Sequence, residues 1–262
     1  MQVKLEGVME TLLIPLAARV HETESAKPRI KDWKAVELAS RIENDFSKFD
    51  EAGSRQGVIA RTMILDRETQ QFIDQYPDAT CISIGCGFDT RYQRVQARNI
   101  TWYNLDFPEV IQIRKQLIDE GDNVKYIGKS ALDSSWADDV ENNEHVLIIL
   151  EGILMYFTEE EVKQLFDIIK NKFPNSTVLV EIMNPMVATK TKYHDTVKKT
   201  SAVFKWGIES GKAMERINDR ICFVKEWNLF DELKDQGIAF KIAAAVPFIR
   251  NVNNKIVKLK VA

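Results

Sequence analysis

The residues with the most chemistry in them gather at one short stretch, TCISIGCGFDTR, from Thr80 to Arg91. Gly85 and Gly87 follow an apolar run, and an acid and a base come next at Asp89 and Arg91. Glycine has no Cβ, so it takes positive φ readily and lets a ligand approach the backbone. Further on, acids stand at the ends of three apolar runs or their loops: Asp106, Asp133 and Glu151. Asp106 lies 19 positions beyond Gly87, about the distance from a glycine turn to a ribose-binding carboxylate. A carboxylate accepts two hydroxyl hydrogen bonds, so a ribose diol is the partner this spacing suggests. The plainer reading has Asp106 capping the helix that Pro108 starts.

Which ligand fits depends on what the turn lacks. It reads Gly-Cys-Gly-Phe-Asp-Thr, with no third glycine and with Asp89 where a pyrophosphate would sit. An acid near a helix N-terminus repels the phosphate that the helix end would otherwise attract. A nucleoside cofactor without phosphates is therefore expected. S-adenosylmethionine fits, because its sulfonium and ammonium groups favour an acidic pocket. Gly128-Lys129-Ser130 looks like the end of a phosphate loop, but Gly121 is two positions too far upstream for that motif. His21, His145 and His194 are scattered without ligand spacing, so no metal is expected.

These residues need a scaffold, and the apolar pattern supplies one. Thr80–Ile84, Ile100–Leu105, Val124–Ile127, Val146–Leu150 and Thr177–Ile182 read as strands separated by helical stretches. Pro108-Glu109 opens one such helix. Thr158 with Glu161 forms a capping box that opens another. Alternation of this kind predicts an α/β fold with a doubly wound, mostly parallel sheet. Side chains at the carboxyl ends of neighbouring parallel strands then converge on one crevice. Three helices come first, over about 8–23, 33–44 and 58–76, and they form an N-terminal helical addition. Arg61 lies on the third. After the fifth strand, 184–225 breaks the rhythm, carries a helix-like stretch at about 196–208, and reads as a lid insertion. A helix at 227–236 and strands at 238–244 and 255–261, paired as an antiparallel hairpin, close the chain. The expected organisation is one domain: 1–78 helices, 79–183 cofactor core, 184–225 lid, 226–262 C-terminal helix and strands.

Composition excludes several classes of partner. The chain has 262 residues, 45% of them hydrophobic and 29% charged, with a formal net charge of -3. It has no basic block, which disfavours nucleic acid. Cys81, Cys86 and Cys222 are odd in number and unpaired in pattern, as in a reducing compartment. Glu6 and Glu10 interrupt the N-terminal apolar stretch, so neither a signal peptide nor a membrane span is read there. A cytoplasmic protein is expected.

The ordered strings IGCGFDTR, NLDFPEVIQIRK, SALDSSW and LEGILMYF, with GVMETLLIPLAARVHET and IARTMILD upstream, resemble the leucine carboxyl methyltransferase family. Within it they are most similar to the tetracenomycin-type polyketide O-methyltransferases, and the likeness covers most of 7–185. The resemblance implies a class I S-adenosylmethionine-dependent methyltransferase. It implies that Arg61 holds the cofactor carboxylate and faces the substrate acid. Gly85 and Gly87 would form the cofactor turn, Asp106 the ribose acid, and Leu132 with Asp133 the adenine side. Glu151 would be the acid opening the E-G-x-L-M-Y segment, with Tyr156 beside the transferred methyl. Lys27 is matched to a basic residue of the N-terminal arm, and Lys31 competes for that place.

These roles suit the reaction. A carboxylic acid is already ionised at neutral pH, so methyl transfer to it needs no strong base. It needs in-line placement and a cation to orient the acceptor, which arginine's forked donors provide. A small-molecule carboxylic acid or hydroxyl compound is the expected substrate. A protein C-terminal leucine, or a binding protein without catalysis, are the rival readings. Arg61 could instead be an exposed helix charge and Tyr156 a core aromatic, while Arg91 could pair with Asp89 or Asp106.

Overall fold

In a computed structural model, the chain is described over residues 7–46, 51–97, 99–141, 144–189 and 202–262. A short 3-10 turn at Gly7–Leu12 leads into three helices, α1 (Leu13–Glu24), α2 (Trp33–Arg41) and α3 (Ala52–Gln75). Asp32 caps α2 by accepting from the Ala35 N–H at 2.9 Å. Pro15 sits in the first turn of α1, where its missing N–H costs nothing.

Strands and helices then alternate: β1 (Thr80–Ile84), α4 (Arg91–Arg94), β2 (Thr101–Asp106), α5 (Pro108–Leu117) and β3 (Val124–Gly128). They continue as β4 (Val146–Leu150), α6 (Glu159–Lys172), β5 (Thr177–Ile182) and α7 (Pro185–Ala188). The expected capping box opens α6: Thr158 accepts from the Glu161 N–H, and Glu161 reaches back to the Thr158 N–H. The chain ends with β6 (Ile221–Asn228), α8 (Leu229–Leu233), α9 (Ile238–Ala245), α10 (Pro247–Val252) and β7 (Lys255–Val261).

The strands form one sheet in the order β3-β2-β1-β4-β5-β7-β6. The first five are parallel, and β7 runs antiparallel to both β5 and β6. Alternate residues of each strand face opposite layers. Ile82, Ile84, Ile148 and Leu150 pack with Val162, Leu165 and Phe166 of α6. Cys81, Leu147 and Ile149 pack with Ile64, Leu65 and Phe72 of α3. Among the described residues, no helix is long and apolar enough to cross a membrane.

The C-terminal part departs from the expected elements. Residues 238–244, read as a strand, are the helix α9, whose sequence IAFKIAAA is rich in helix-favouring alanine. Trp227 does not start a helix; it belongs to β6, and α8 begins at Leu229. The antiparallel pair at the sheet edge is therefore β6 with β7. The β-branched and aromatic content of ICFVKEWN suits that half-covered edge. Of the helix expected at 196–208, residues 196–201 lie outside the described residues. Residues 202–208 are not helical, and their burial alternates, with Ala202, Phe204, Trp206 and Ile208 inside. This stretch is held by the Lys205 N–H on the Met155 carbonyl and the Ile208 N–H on the Met183 carbonyl, at 2.7 and 2.8 Å. His194 also lies outside the described residues.

Candidate active site

Because β1 pairs with β2 on one side and β4 on the other, the crossovers leave it in opposite directions. A crevice opens at its carboxyl end. Gly85 and Gly87 form the turn there, with φ of 67° and 47°. A Cβ on Gly85 would stand 2.7 Å from Ile153 Cδ1, and one on Gly87 the same distance from Leu12 Cδ2. Any other residue would be strained twice over, by conformation and by contact. Arg114, almost wholly buried, braces the turn from below by donating to the Gly87 and Asp89 carbonyls at 2.8 and 2.6 Å.

Beyond the turn lies a cavity of about 410 Å³, lined by Gly85, Gly87, Asp106, Ser130, Leu132 and Glu151 among others. Asp106, at the end of β2, accepts from the Gly87 and Phe107 N–H groups, each at 2.8 Å. Burial nevertheless raises its pKa above the ordinary carboxylate value. Open room above glycines and a carboxylate with remaining acceptor capacity fit a nucleoside with a ribose diol.

A second cavity, of about 660 Å³, lies alongside and is largely apolar: Met155, Met183, Phe204, Leu229 and Phe248 line it, with Asn254. Thr11, Pro15, Arg61, Gly152 and Tyr156 line both cavities and so form the wall between them. Arg61 comes from α3. Its Nε donates to Glu151 at 2.8 Å and its Nη1 to Glu181 at 3.0 Å. Its Nη2 lies beside Gly152, where an added Cβ would stand 3.6 Å away. Burial disfavours the charge, but Glu181 and Glu151 outweigh it and hold Arg61 firmly protonated. Tyr156 is hydrogen-bonded to Thr11, and burial pushes its phenol up. Its ring lies 5.6 Å from that of Phe204.

Under the turn runs a lattice of buried charges. Arg91, 1% exposed, reaches Asp66, Asp89 and Glu151 with its three nitrogens, at 2.7–2.8 Å. Arg94 binds Asp32, Asp66 and Asp89, and Arg19 joins Asp32 to the Phe88 carbonyl. Burial pushes Asp89 and Glu151 up, but their arginines prevail and hold both below the usual carboxylate range. Of the alternatives for Arg91, Asp89 is its partner. Asp89 is thus not the free acid that its place after the turn suggested, since two arginines neutralise it.

The other expected residues divide. Gly85, Gly87, Asp106, Leu132, Glu151, Arg61 and Tyr156 are brought together at the two cavities. Asp133 is not: it is exposed and caps the turn Ser134–Asp139 by accepting from the Ser135 N–H at 3.0 Å. Lys27 and Lys31 are exposed on the α1–α2 connector and line neither cavity. The connector is anchored instead by Arg29 on Glu22. A basic group of α1, Arg19, does line the first cavity, along with Arg61 of α3. The signal for Arg19 was an arginine three places after Leu16, on the apolar stripe of α1. Thr11, Phe107, Lys129 and most of the second cavity were also missed. The last comes from short pieces far apart in sequence, with no local pattern to give it away. Among the described residues, no group of His, Cys, Asp and Glu could hold a metal ion.

The reversed sheet order, the glycine turn and the acid ending β2 define a class I S-adenosylmethionine-dependent methyltransferase, and comparison with known proteins agrees. Residues 13–170 match the leucine carboxyl methyltransferase family, and the chain belongs to it. It is 30% identical over 231 residues to the tetracenomycin polyketide synthesis O-methyltransferase TcmP of Streptomyces glaucescens, covering 87% of this chain and 86% of that one. It is 32% identical over 198 residues to the S-adenosyl-L-methionine-dependent methyltransferase dpfgK of Gibberella zeae, covering 69% of this chain and 66% of that one. Among solved structures, it resembles the N-methyltransferase NodS of Bradyrhizobium japonicum in complex with S-adenosyl-L-homocysteine. The TM-score is 0.51 and the identity 12%, over 88% of this chain and 97% of that one, a likeness of fold.

Proposed function

We propose that this enzyme transfers the methyl group of S-adenosylmethionine to the carboxylate of a small, polyketide-like acid. The observation that carries this reading is the shared wall. A cavity over the glycine turn, edged by Asp106, and a second one alongside it meet at Arg61, Gly152 and Tyr156. In this reading Gly85, Gly87, Leu132, Asp106 and Glu151 hold the cofactor, Asp106 through the ribose. Arg61 serves both sides of the wall. The cofactor, when bound, supplies an electrophilic methyl on sulfur.

What the wall lacks favours an acceptor that is already ionised. A hydroxyl acceptor wants a base within reach. Glu151 is tied to two arginines and held below its ordinary value. Both oxygens of Glu181 are engaged, by Arg61 and Asn254. A carboxylate asks only for orientation, which Nη2 of Arg61 and the Tyr156 hydroxyl can supply by donating to it. The name of the Streptomyces relative supports a polyketide-like body. We also infer a cytoplasmic location, in keeping with three free cysteines. Met186, Val187 and Phe204, with Phe248 and Val252 of α10, would form the acceptor side.

The test uses S-adenosylmethionine labelled in its methyl group and a panel of aromatic acids, matching phenols and a peptide ending in leucine. The expected product is an ester of a small acid, which mild alkali hydrolyses to labelled methanol. Label that survives alkali on a phenol, or that appears only on the peptide, would overturn the acceptor assignment.

A further inference from the structure

Arg61 stands between two carboxylates, one from each side of the wall. Glu151, on the cofactor side, is held by Arg91, whose own partners reach back to Asp89 and the glycine turn. Glu181, on the acceptor side, is 1% exposed and accepts from Arg61 Nη1 on one oxygen. Its other oxygen accepts from Asn254 Nδ2 at 2.9 Å. Asn254 lines the second cavity and precedes β7 directly. Its N–H donates to Asn253 Oδ1 at 3.0 Å, and its position follows α10, whose Phe248 and Val252 line the same cavity.

We infer that Asn254 is a positioning residue for the transfer. By holding Glu181 it fixes the plane of the Arg61 guanidinium, so that Nε and Nη1 are committed and Nη2 is presented at the wall. Without the amide, the buried Glu181 oxygen lacks a donor, and the carboxylate turns toward Arg61 to recover one. The guanidinium then turns with it, and Nη2 leaves the line on which an acceptor is oriented. A small misplacement of this kind costs rate more than binding. The chain of hydrogen bonds also makes the acceptor side and the cofactor turn two ends of one network, Asn254–Glu181–Arg61–Glu151–Arg91–Asp89. The inference rests on the methyl-transfer reading above, with Arg61 at the transfer wall.

Asn254→Leu, Glu181→Gln and the double variant test it in two ways. Without any acceptor, nitrogen-15 NMR of the Arg61 side chain, assigned by its loss in Arg61→Lys, should show separate Nη resonances in the wild-type chain. They should merge through rotation in Asn254→Leu. In turnover, kcat should fall about tenfold to a hundredfold, with the Kd for S-adenosylmethionine changed less than twofold. Asn254→Leu should add less than a further twofold in the Glu181→Gln background, because both act through one link. Unchanged Arg61 resonances in Asn254→Leu, effects that multiply in the double variant, or an equal loss of cofactor affinity would overturn the proposal. If the resonances behave as expected but the methyl goes only to a phenol, the acceptor assignment fails while the role of Asn254 stands.

Discussion

The two cavities that meet at Arg61 are built by different means. The cofactor side rests on strand ends, glycine turns and arginines that are nearly sealed from water, each bonded to two or three carboxylates or carbonyls. The second side is lined largely by apolar side chains, two of them exposed, Met186 at 50% and Phe248 at 67%. Buried ion pairs hold a shape because breaking one leaves an uncompensated charge. An apolar rim can be repacked at small cost. On the proposed reading, one side holds a constant ligand, and the other would accept different bodies on the same chemistry.

Breaking the cofactor side should therefore be expensive. Arg91→Met strands parts of Asp66, Asp89 and Glu151, and should cost about 3–5 kcal/mol. In calorimetry that is a fall in Tm of roughly 10 °C; a fall of under 2 °C would mean that the lattice carries little stability. Asp106→Ala removes the acceptor at the end of β2. It should weaken S-adenosylmethionine binding about 100-fold by titration calorimetry, the scale of two hydrogen bonds to a charged group, with little change in Tm.

Acidification separates the same groups by sign. Asp89, Asp32 and Glu151 sit below their ordinary values in the folded chain. Their stabilisation is complete above about pH 4, and it is lost as the pH falls toward the folded values, by on the order of 2 kcal/mol for one such carboxylate. Asp106 is raised by burial and works the other way: it opposes folding once ionised. Chemical denaturation between pH 6 and pH 3 should show a steep loss in the wild-type chain and a shallower one in Arg91→Met. Equal slopes would contradict the lattice account. The smallest effect belongs to the acceptor rim. Phe248→Ala should change stability by no more than about 0.5 kcal/mol and leave cofactor affinity alone, while raising the acceptor KM a few-fold in initial-rate assays.

The same contrast explains what was legible in the sequence. The buried strands, the glycine turn and Asp106 obey local rules of period, spacing and turn chemistry, and each lies where its sequence pattern pointed. Arg61 was legible only through the ordered motifs, because a lone helix arginine has no signature. Its two glutamates come from just after β4 and from β5, 90 and 120 positions away. Asp133 looked like a strand-end acid of the site, but an aspartate two residues before a free N–H caps the turn instead. The α9 segment was misread because its short apolar run suits strand and helix equally, and tertiary pairing gave the edge position to β6. The acceptor cavity is joined only by folding, so no window of sequence contains it.

The central claim is that the cofactor lies over the glycine turn with its sulfur at the wall that Arg61, Gly152 and Tyr156 share. A crystal structure of the chain with S-adenosylhomocysteine and a small aromatic acid tests it directly. The account predicts the ribose on Asp106, the thioether sulfur facing the wall, and the acid's carboxylate across it, on Arg61. A nucleoside bound elsewhere, or a sulfur turned away from the second cavity, would contradict it.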